Sequence, residues 1–120
     1  MKTENRTAFE GSSYTPTIRN EQTDMLMQAM LHMESLEDAY RFFEDLCTIA
    51  ELKSIAQRFD VAVMLRQKET YQDIVRKTGA SSATISRVNR ALLYGADGYN
   101  RVLNRMAKDG LLPGESPDKE

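Results

Sequence analysis

Thr70-Tyr71-Gln72-Asp73-Ile74-Val75-Arg76-Lys77-Thr78-Gly79-Ala80-Ser81-Ser82-Ala83-Thr84-Ile85-Ser86-Arg87-Val88-Asn89-Arg90 is the stretch whose reading decides the fold. Thr70 and Asp73 have the spacing of a capping box, which predicts a helix running through Ile74 and Val75. Gly79 ends it, because glycine enters the left-handed conformation at low steric cost. Ser81 or Ser82 then caps a second helix through Ile85, Val88, Ala91 and Leu92. Ile74, Ile85 and Val88 form the small core that fixes the angle between the two helices. The other face of the second helix carries Ser82, Ala83, Thr84, Ser86, Arg87 and Arg90. Short hydroxyl-bearing side chains let a helix enter the DNA major groove, and arginines reach guanine or phosphate. The pattern is a helix-turn-helix over about residues 70–93. An ordinary αα-corner joined through glycine is the plainer alternative.

Outward from this stretch the chain reads as helices almost throughout. Asp24 is the expected cap of a helix with Met25, Leu26, Met30, Leu31 and Met33. Ser35 with Asp38 opens a segment carrying Leu36, Ala39, Tyr40, Phe43 and Leu46 at helical intervals. Thr48 with Glu51 opens a longer helix with Ile49, Leu52, Ile55, Ala56, Phe59 and Val63. Asp97 caps a last one with Tyr99, Val102, Leu103 and Met106. No segment alternates apolar and polar residues long enough to be a strand, so the expected fold class is all-α. The early helices bear apolar faces too wide for one small core, which predicts an intertwined homodimer sharing its core. The expected organisation is a flexible N-terminal arm over 1–22, a helical domain over 23–108 and a flexible tail over 109–120.

The chain has 120 residues, the size of one domain, with a net charge of -2 from 16 basic and 18 acidic side chains. That balance excludes a uniformly basic coat for nucleic acid, so any such surface is local. Charge is indeed segregated. From His32 to Asp60 the acids Glu34, Glu37, Asp38, Glu44, Asp45, Glu51 and Asp60 outnumber Arg41, Lys53 and Arg58. From Arg76 to Lys108 the bases Arg76, Lys77, Arg87, Arg90, Arg101, Arg105 and Lys108 face only Asp97. This asymmetry points to an anionic partner. No apolar run approaches the roughly 20 residues of a membrane helix, and Met1–Arg6 is not followed by the apolar core of a secretory signal. A single cysteine, Cys47, fits a reducing cytoplasm.

No catalytic constellation stands out. His32 is the only histidine, so neither a histidine metal cluster nor a histidine relay can form within one chain. Cys47 is expected to be a small buried hydrophobe. The regularly spaced carboxylates Glu34, Glu37, Asp38, Glu44 and Asp45 read as a solvated helix face. Met25, Met27, Met30 and Met33 read as packing for a dimer core. The expectation is a protein that is no enzyme and has no cofactor or metal.

From about Leu46 to Leu103 the sequence resembles the tryptophan repressor family, specifically its shorter relatives. The resemblance is carried by Cys47-Thr48-Ile49-Ala50-Glu51-Leu52, by Gln57-Arg58 and by Gly79-Ala80-Ser81-Ser82-Ala83-Thr84-Ile85-Ser86-Arg87. The last, with its Ala-Thr-Ile-Ser-Arg ending, is the specific one. The resemblance implies an intertwined dimer, one recognition helix per subunit and a palindromic operator. It also implies a candidate effector pocket, since the two arginines that sandwich the corepressor indole match Arg58 and Arg87, and a threonine near the ligand matches Thr48. Two positions and one spacing depart from the tryptophan-binding pattern. Val88 stands where those members have glycine, Ala91 replaces a serine, and the stretch between Arg58 and Thr70 is one residue short. Valine would project into the space of the ligand, so tryptophan is not the expected corepressor.

The expected function is therefore a sequence-specific, DNA-binding transcriptional regulator, a repressor by resemblance, acting as a cytoplasmic homodimer on double-stranded DNA. The residues expected at the DNA are Thr70, Gln72, Arg76, Lys77, Ser82, Ala83, Thr84, Ser86, Arg87 and Arg90. The alternative is a helix-turn-helix module for protein contact within a transcription complex. A more distant one is the DNA-targeting module of a recombinase, which would need a catalytic partner chain.

Overall fold

The computed structural model describes residues 12–115 and contains six helices and no strand among them. They are α1 (Glu21–Leu31), α2 (Leu36–Leu46), α3 (Ile49–Arg66), α4 (Tyr71–Thr78), α5 (Ser82–Tyr94) and α6 (Gly98–Lys108). The chain divides into two compact units, residues 1–46 and 47–120. Among the described residues no helix is long and apolar enough to cross a membrane.

In the first unit, α1 starts earlier than the sequence suggested. Its cap is Asn20, whose Oδ1 accepts from the Thr23 amide at 2.8 Å while the Asn20 amide donates back to Thr23 Oγ1 at 2.8 Å. Asp24 is instead paired with Arg19 at 3.0 Å. The helix thus begins two residues inside the expected arm. Residues 1–11 of that arm, and 116–120 of the expected tail, lie outside the described residues. Ser35 caps α2 by accepting from the Asp38 amide, and the Asp38 carboxylate accepts from the Glu34 amide, each at 3.0 Å. Neither α1 nor α2 buries a single residue, and Leu31 and Leu36 are each 76% exposed. The apolar side chains of this unit are at most half-buried, as at Met30, Phe42 and Phe43, although hydrophobic burial is the main favourable term in folding.

The second unit holds the core. The Thr48–Glu51 box is complete, with the Glu51 amide donating to Thr48 Oγ1 at 3.0 Å and the Thr48 amide donating to Glu51 Oε1 at 2.9 Å. Along α3 burial changes abruptly: Ile49 is 77% exposed and Ile55 is exposed, whereas Val61, Ala62 and Val63 are buried. Those three meet Ile74 from α4, Ile85 and Val88 from α5, and Leu103 and Ala107 from α6. Cys47 is half-buried, not the buried hydrophobe expected, at the end of α3 where Thr48, Ile49 and Ala50 are exposed.

α3 ends in a Schellman turn, with the Lys68 amide donating to the Leu65 carbonyl and Glu69 to Met64. Lys68, at φ 65°, occupies the left-handed position usually given to glycine. α6 also differs from expectation. Asp97 stands at its cap with φ 67° but makes no side-chain cap bond; its Oδ1 accepts from Asn100 at 3.2 Å instead. Beyond α6, residues 109–115 are not a loose tail. Leu112 is buried, and Arg66 holds Glu115 through two hydrogen bonds of 2.8 and 3.1 Å while also donating to Asn104.

Ile85 lies at 0% exposure in the middle of this core. Ile85→Ala should cost about 2–5 kcal/mol of unfolding free energy in a denaturant titration, through lost transfer energy and a residual cavity.

Candidate nucleic-acid interface

The geometry of α4 and α5 follows from how their ends are closed. Thr70 caps α4 by accepting from the Asp73 amide at 3.1 Å. The box is not reciprocal through the backbone, because the Asp73 carboxylate is engaged with Arg76 at 3.0 Å. α4 stops at Gly79, whose φ of 73° is left-handed and whose amide donates to Val75. The turn is stitched by Thr78, whose hydroxyl donates to the Ile74 carbonyl at 2.7 Å and accepts from the Ala80 amide at 3.1 Å. From α3, Gln57 Nε2 donates to the Thr78 carbonyl at 3.1 Å and so ties the turn to the core. Ser81 then caps α5, accepting from the Thr84 amide at 3.1 Å.

With Ile85 and Val88 turned inward, a 3.6-residue period sends Ser82, Ala83, Ser86, Arg87 and Arg90 outward, and all five are exposed. Of the remaining expected residues, Thr70, Gln72, Arg76 and Lys77 are exposed on or beside α4. Thr84 is half-buried, and its hydroxyl accepts from the Ser81 hydroxyl at 3.1 Å, which places it at the edge of the outer face. The surface thus presents small hydroxyls and alanine flanked by cations. Such a face offers shape and hydrogen bonding, and it carries no nucleophile paired with a base.

Charge on this face was only half legible. Arg87 and Arg90 meet no carboxylate among the described residues. Arg76 and Lys77, which the sequence left as open cations, are paired with Asp73 and Glu69 at 3.0 and 2.8 Å. The Arg76 guanidinium, helped by the Thr70 hydroxyl, holds the Asp73 carboxyl below its ordinary range. The Asp73–Arg76 spacing of three residues could have signalled its pair. The Glu69–Lys77 pair runs from the residue before the Thr70 cap to the last turn of α4, beyond the three- and four-residue spacing of helix neighbours.

The residues matched to an effector pocket are distributed over α3 and α5, which pack directly on each other. Arg58 is half-buried and donates to Ser54 Oγ at 3.0 Å; Arg87 is exposed; the Thr48 hydroxyl is engaged as a helix cap. Val88 is 1% exposed, so its methyl groups belong to the core. A separate pocket of about 490 Å³ opens between Phe59, Ala91, Ala96, Gly98, Tyr99 and Val102. The Phe59 and Tyr99 rings lie 6.4 Å apart at its wall. The sequence pattern did not reveal it.

Comparison with known proteins agrees with this architecture. Residues 21–107 match the family described as Trp repressor protein. The uncharacterized protein YerC of Bacillus subtilis (strain 168) is 52% identical over 89 residues, which cover 74% of this chain and 86% of YerC. A TrpR-like protein from Eubacterium eligens ATCC 27750 shares 56% identity, with a TM-score of 0.72 over 74% of this chain and 92% of that one. A candidate Trp repressor from Staphylococcus aureus shares 45% identity, with a TM-score of 0.72 over 77% of this chain and 95% of that one.

Proposed function

The chain belongs to the Trp repressor family, and we propose that it is a homodimeric, sequence-specific DNA-binding regulator, acting in the cytoplasm as a repressor on a palindromic operator. α4 and α5 form its helix-turn-helix, and α5 is the recognition helix. The observation that carries this reading is the outer face of α5, where Ser82, Ala83, Ser86, Arg87 and Arg90 are exposed together. Small polar side chains let the helix axis approach base edges, and arginines supply guanine or phosphate contacts. Thr70, Gln72, Arg76 and Lys77 flank it on the backbone side, and Thr84 completes the edge. The role is one of binding, without catalysis.

The dimer rests on apolar surface. α1 and α2 hold no fully buried residue, and the first half of α3 leaves Ile49 and Ile55 exposed. A second copy of the chain, offering the same faces, covers them in an isologous contact. Two recognition helices then meet half-sites about one helical turn, or roughly 34 Å, apart.

Tryptophan is not the corepressor in this reading. With Val88 packed into the core, the space beside Arg58 and Arg87 is filled by the protein itself. α5 is held in its orientation by packing, without a corepressor.

Three measurements test this reading. In a selection from random duplex followed by titration, Arg90→Ala weakens all sequences alike and reduces the salt slope by about 1, whereas Ser86→Ala shifts the preference by about 1 kcal/mol at one base. Unaltered affinity and preference in both would remove α5 from the interface. Thermal unfolding moves to higher temperature as protein concentration rises, because dissociation and unfolding are linked; a compact monomer at micromolar concentration in light scattering contradicts the dimer. Calorimetry detects no micromolar site for tryptophan, and the amino acid leaves DNA affinity unchanged. A tenfold tightening, about 1.4 kcal/mol of coupling, overturns that part.

A further inference from the structure

Glu69 and Asp73 are the only acids between Lys68 and Ala96, and Arg76 and Lys77 are the only cations on α4. The structure pairs them one to one. Arg76 Nη2 donates to Asp73 Oδ1 at 3.0 Å, and Lys77 Nζ donates to Glu69 Oε1 at 2.8 Å. The first pair is a neighbour contact along one helix face, of the kind that supports short helices. The second is not local to a helix. It joins residues eight apart, from the position before the Thr70 cap to the last turn of α4, and the Schellman bond from the Glu69 amide to the Met64 carbonyl fixes the backbone that carries the carboxylate. The Glu69 side chain is only 21% exposed, so its charge is directed at Lys77 more than at solvent. On α5 the situation is opposite: Arg87 and Arg90 are exposed with no carboxylate partner among the described residues.

Cations drive sequence-independent DNA binding by neutralising phosphates and releasing the counterions condensed on them. A cation already seated on a carboxylate presents little net charge to an approaching phosphate. To bind, it must exchange one anion for another, which is close to an even trade. At an unrelated duplex nothing else favours that exchange. Where α5 makes its base contacts, the helix brings the phosphate backbone against α4 and the exchange can follow.

We propose that Glu69 and Asp73 are specificity-determining residues that act as built-in counterions, holding Lys77 and Arg76 away from the phosphates of unrelated DNA until the recognition helix is seated. Specificity is a difference of two affinities, and it grows when the weaker one is lowered. The inference rests on the DNA-binding reading above, and it adds residues whose removal should tighten binding instead of weakening it.

The test uses the full chain, an operator taken from a random-pool selection and a scrambled duplex of the same composition. Asp73→Asn and Glu69→Gln keep side-chain shape and remove charge; the Thr70 cap is untouched, because it is made to the Asp73 amide. Glu44→Gln, on the exposed surface of α2, makes the same change in net charge elsewhere. Circular dichroism first verifies that each variant keeps its helical content, and the two positions test the idea independently. Each of the first two variants should tighten scrambled-duplex binding by about threefold to tenfold, steepen its salt slope by up to about one ion, and tighten operator binding less. Glu44→Gln should change the scrambled affinity by less than about twofold. Equal tightening by all three, equal tightening on both duplexes, or no tightening by Asp73→Asn and Glu69→Gln overturns the proposal. If the wild-type chain selects and binds no duplex, the DNA-binding reading fails and takes this proposal with it. If the wild type binds and these variants do not differ from it, only the proposal fails.

Discussion

The second unit depends on one packing event, the burial of Ile74, Ile85 and Val88 against Val61, Ala62 and Val63 of α3. Helices of 8 and 13 residues are marginal in water, so α4 and α5 persist because an apolar stripe on each is held by something larger. Once Ile85 and Val88 point inward, the outward residues of α5 are decided, and Arg87 and Arg90 can only stand in solvent. The turn adds precision without adding much burial. Gly79 reverses the chain, Thr78 satisfies the carbonyl and amide on either side of it, and Gln57 locks the Thr78 carbonyl to α3. The orientation of one helix relative to another is thus written in three aliphatic side chains and three hydrogen bonds.

Features that depend on neighbours in sequence could be read in advance. The caps at Thr48 and Thr70, a cap at Ser81 or Ser82, the left-handed Gly79 and the inward set Ile74, Ile85 and Val88 each follow from local period or local hydrogen-bond geometry. The all-α class followed from them. Where several polar residues compete for one role, local reading was less decisive. Asn20 and Asp24 are both good caps, and Asp24 lost because Arg19 holds its carboxylate. Asp97 occupies a cap position, but its left-handed backbone leaves the side chain to Asn100. Contacts between distant residues left no trace at all in the pattern. Gly110 and Pro113 look like a helix stop before a loose end, yet Leu112 enters the core and Glu115 meets Arg66 from 49 residues away.

The same distinction governs the charges. Counting side chains located a basic half of the chain, and in that respect the arithmetic was sound. It could not say which cations are available. Arg76 and Lys77 count the same as Arg87 and Arg90 in the sum, but the first two have carboxylates within 3.0 Å and the last two have none among the described residues. An exposed ion pair contributes little to stability because solvent screens it, so its main physical consequence is to lower the field that each member projects. A local pairing can therefore alter an interaction surface while leaving net charge and fold unchanged.

The position of Val88 brings packing and ligand chemistry into direct competition. A glycine there would leave a recess next to Arg87 at the expense of the core; a valine fills the recess and is 1% exposed in consequence. No side chain can do both. The pocket near Phe59 and Tyr99 is walled by Phe59, Ala91, Ala96, Gly98, Tyr99 and Val102. An amino acid carries an ammonium and a carboxylate, and taking either out of water without a partner is costly. That lining offers no charged side chain to either group. An apolar group suits it better, and apolar side chains such as Leu31, Leu36 and Ile49 are themselves exposed. At position 88 the protein's own packing thus occupies the volume that a glycine would leave open.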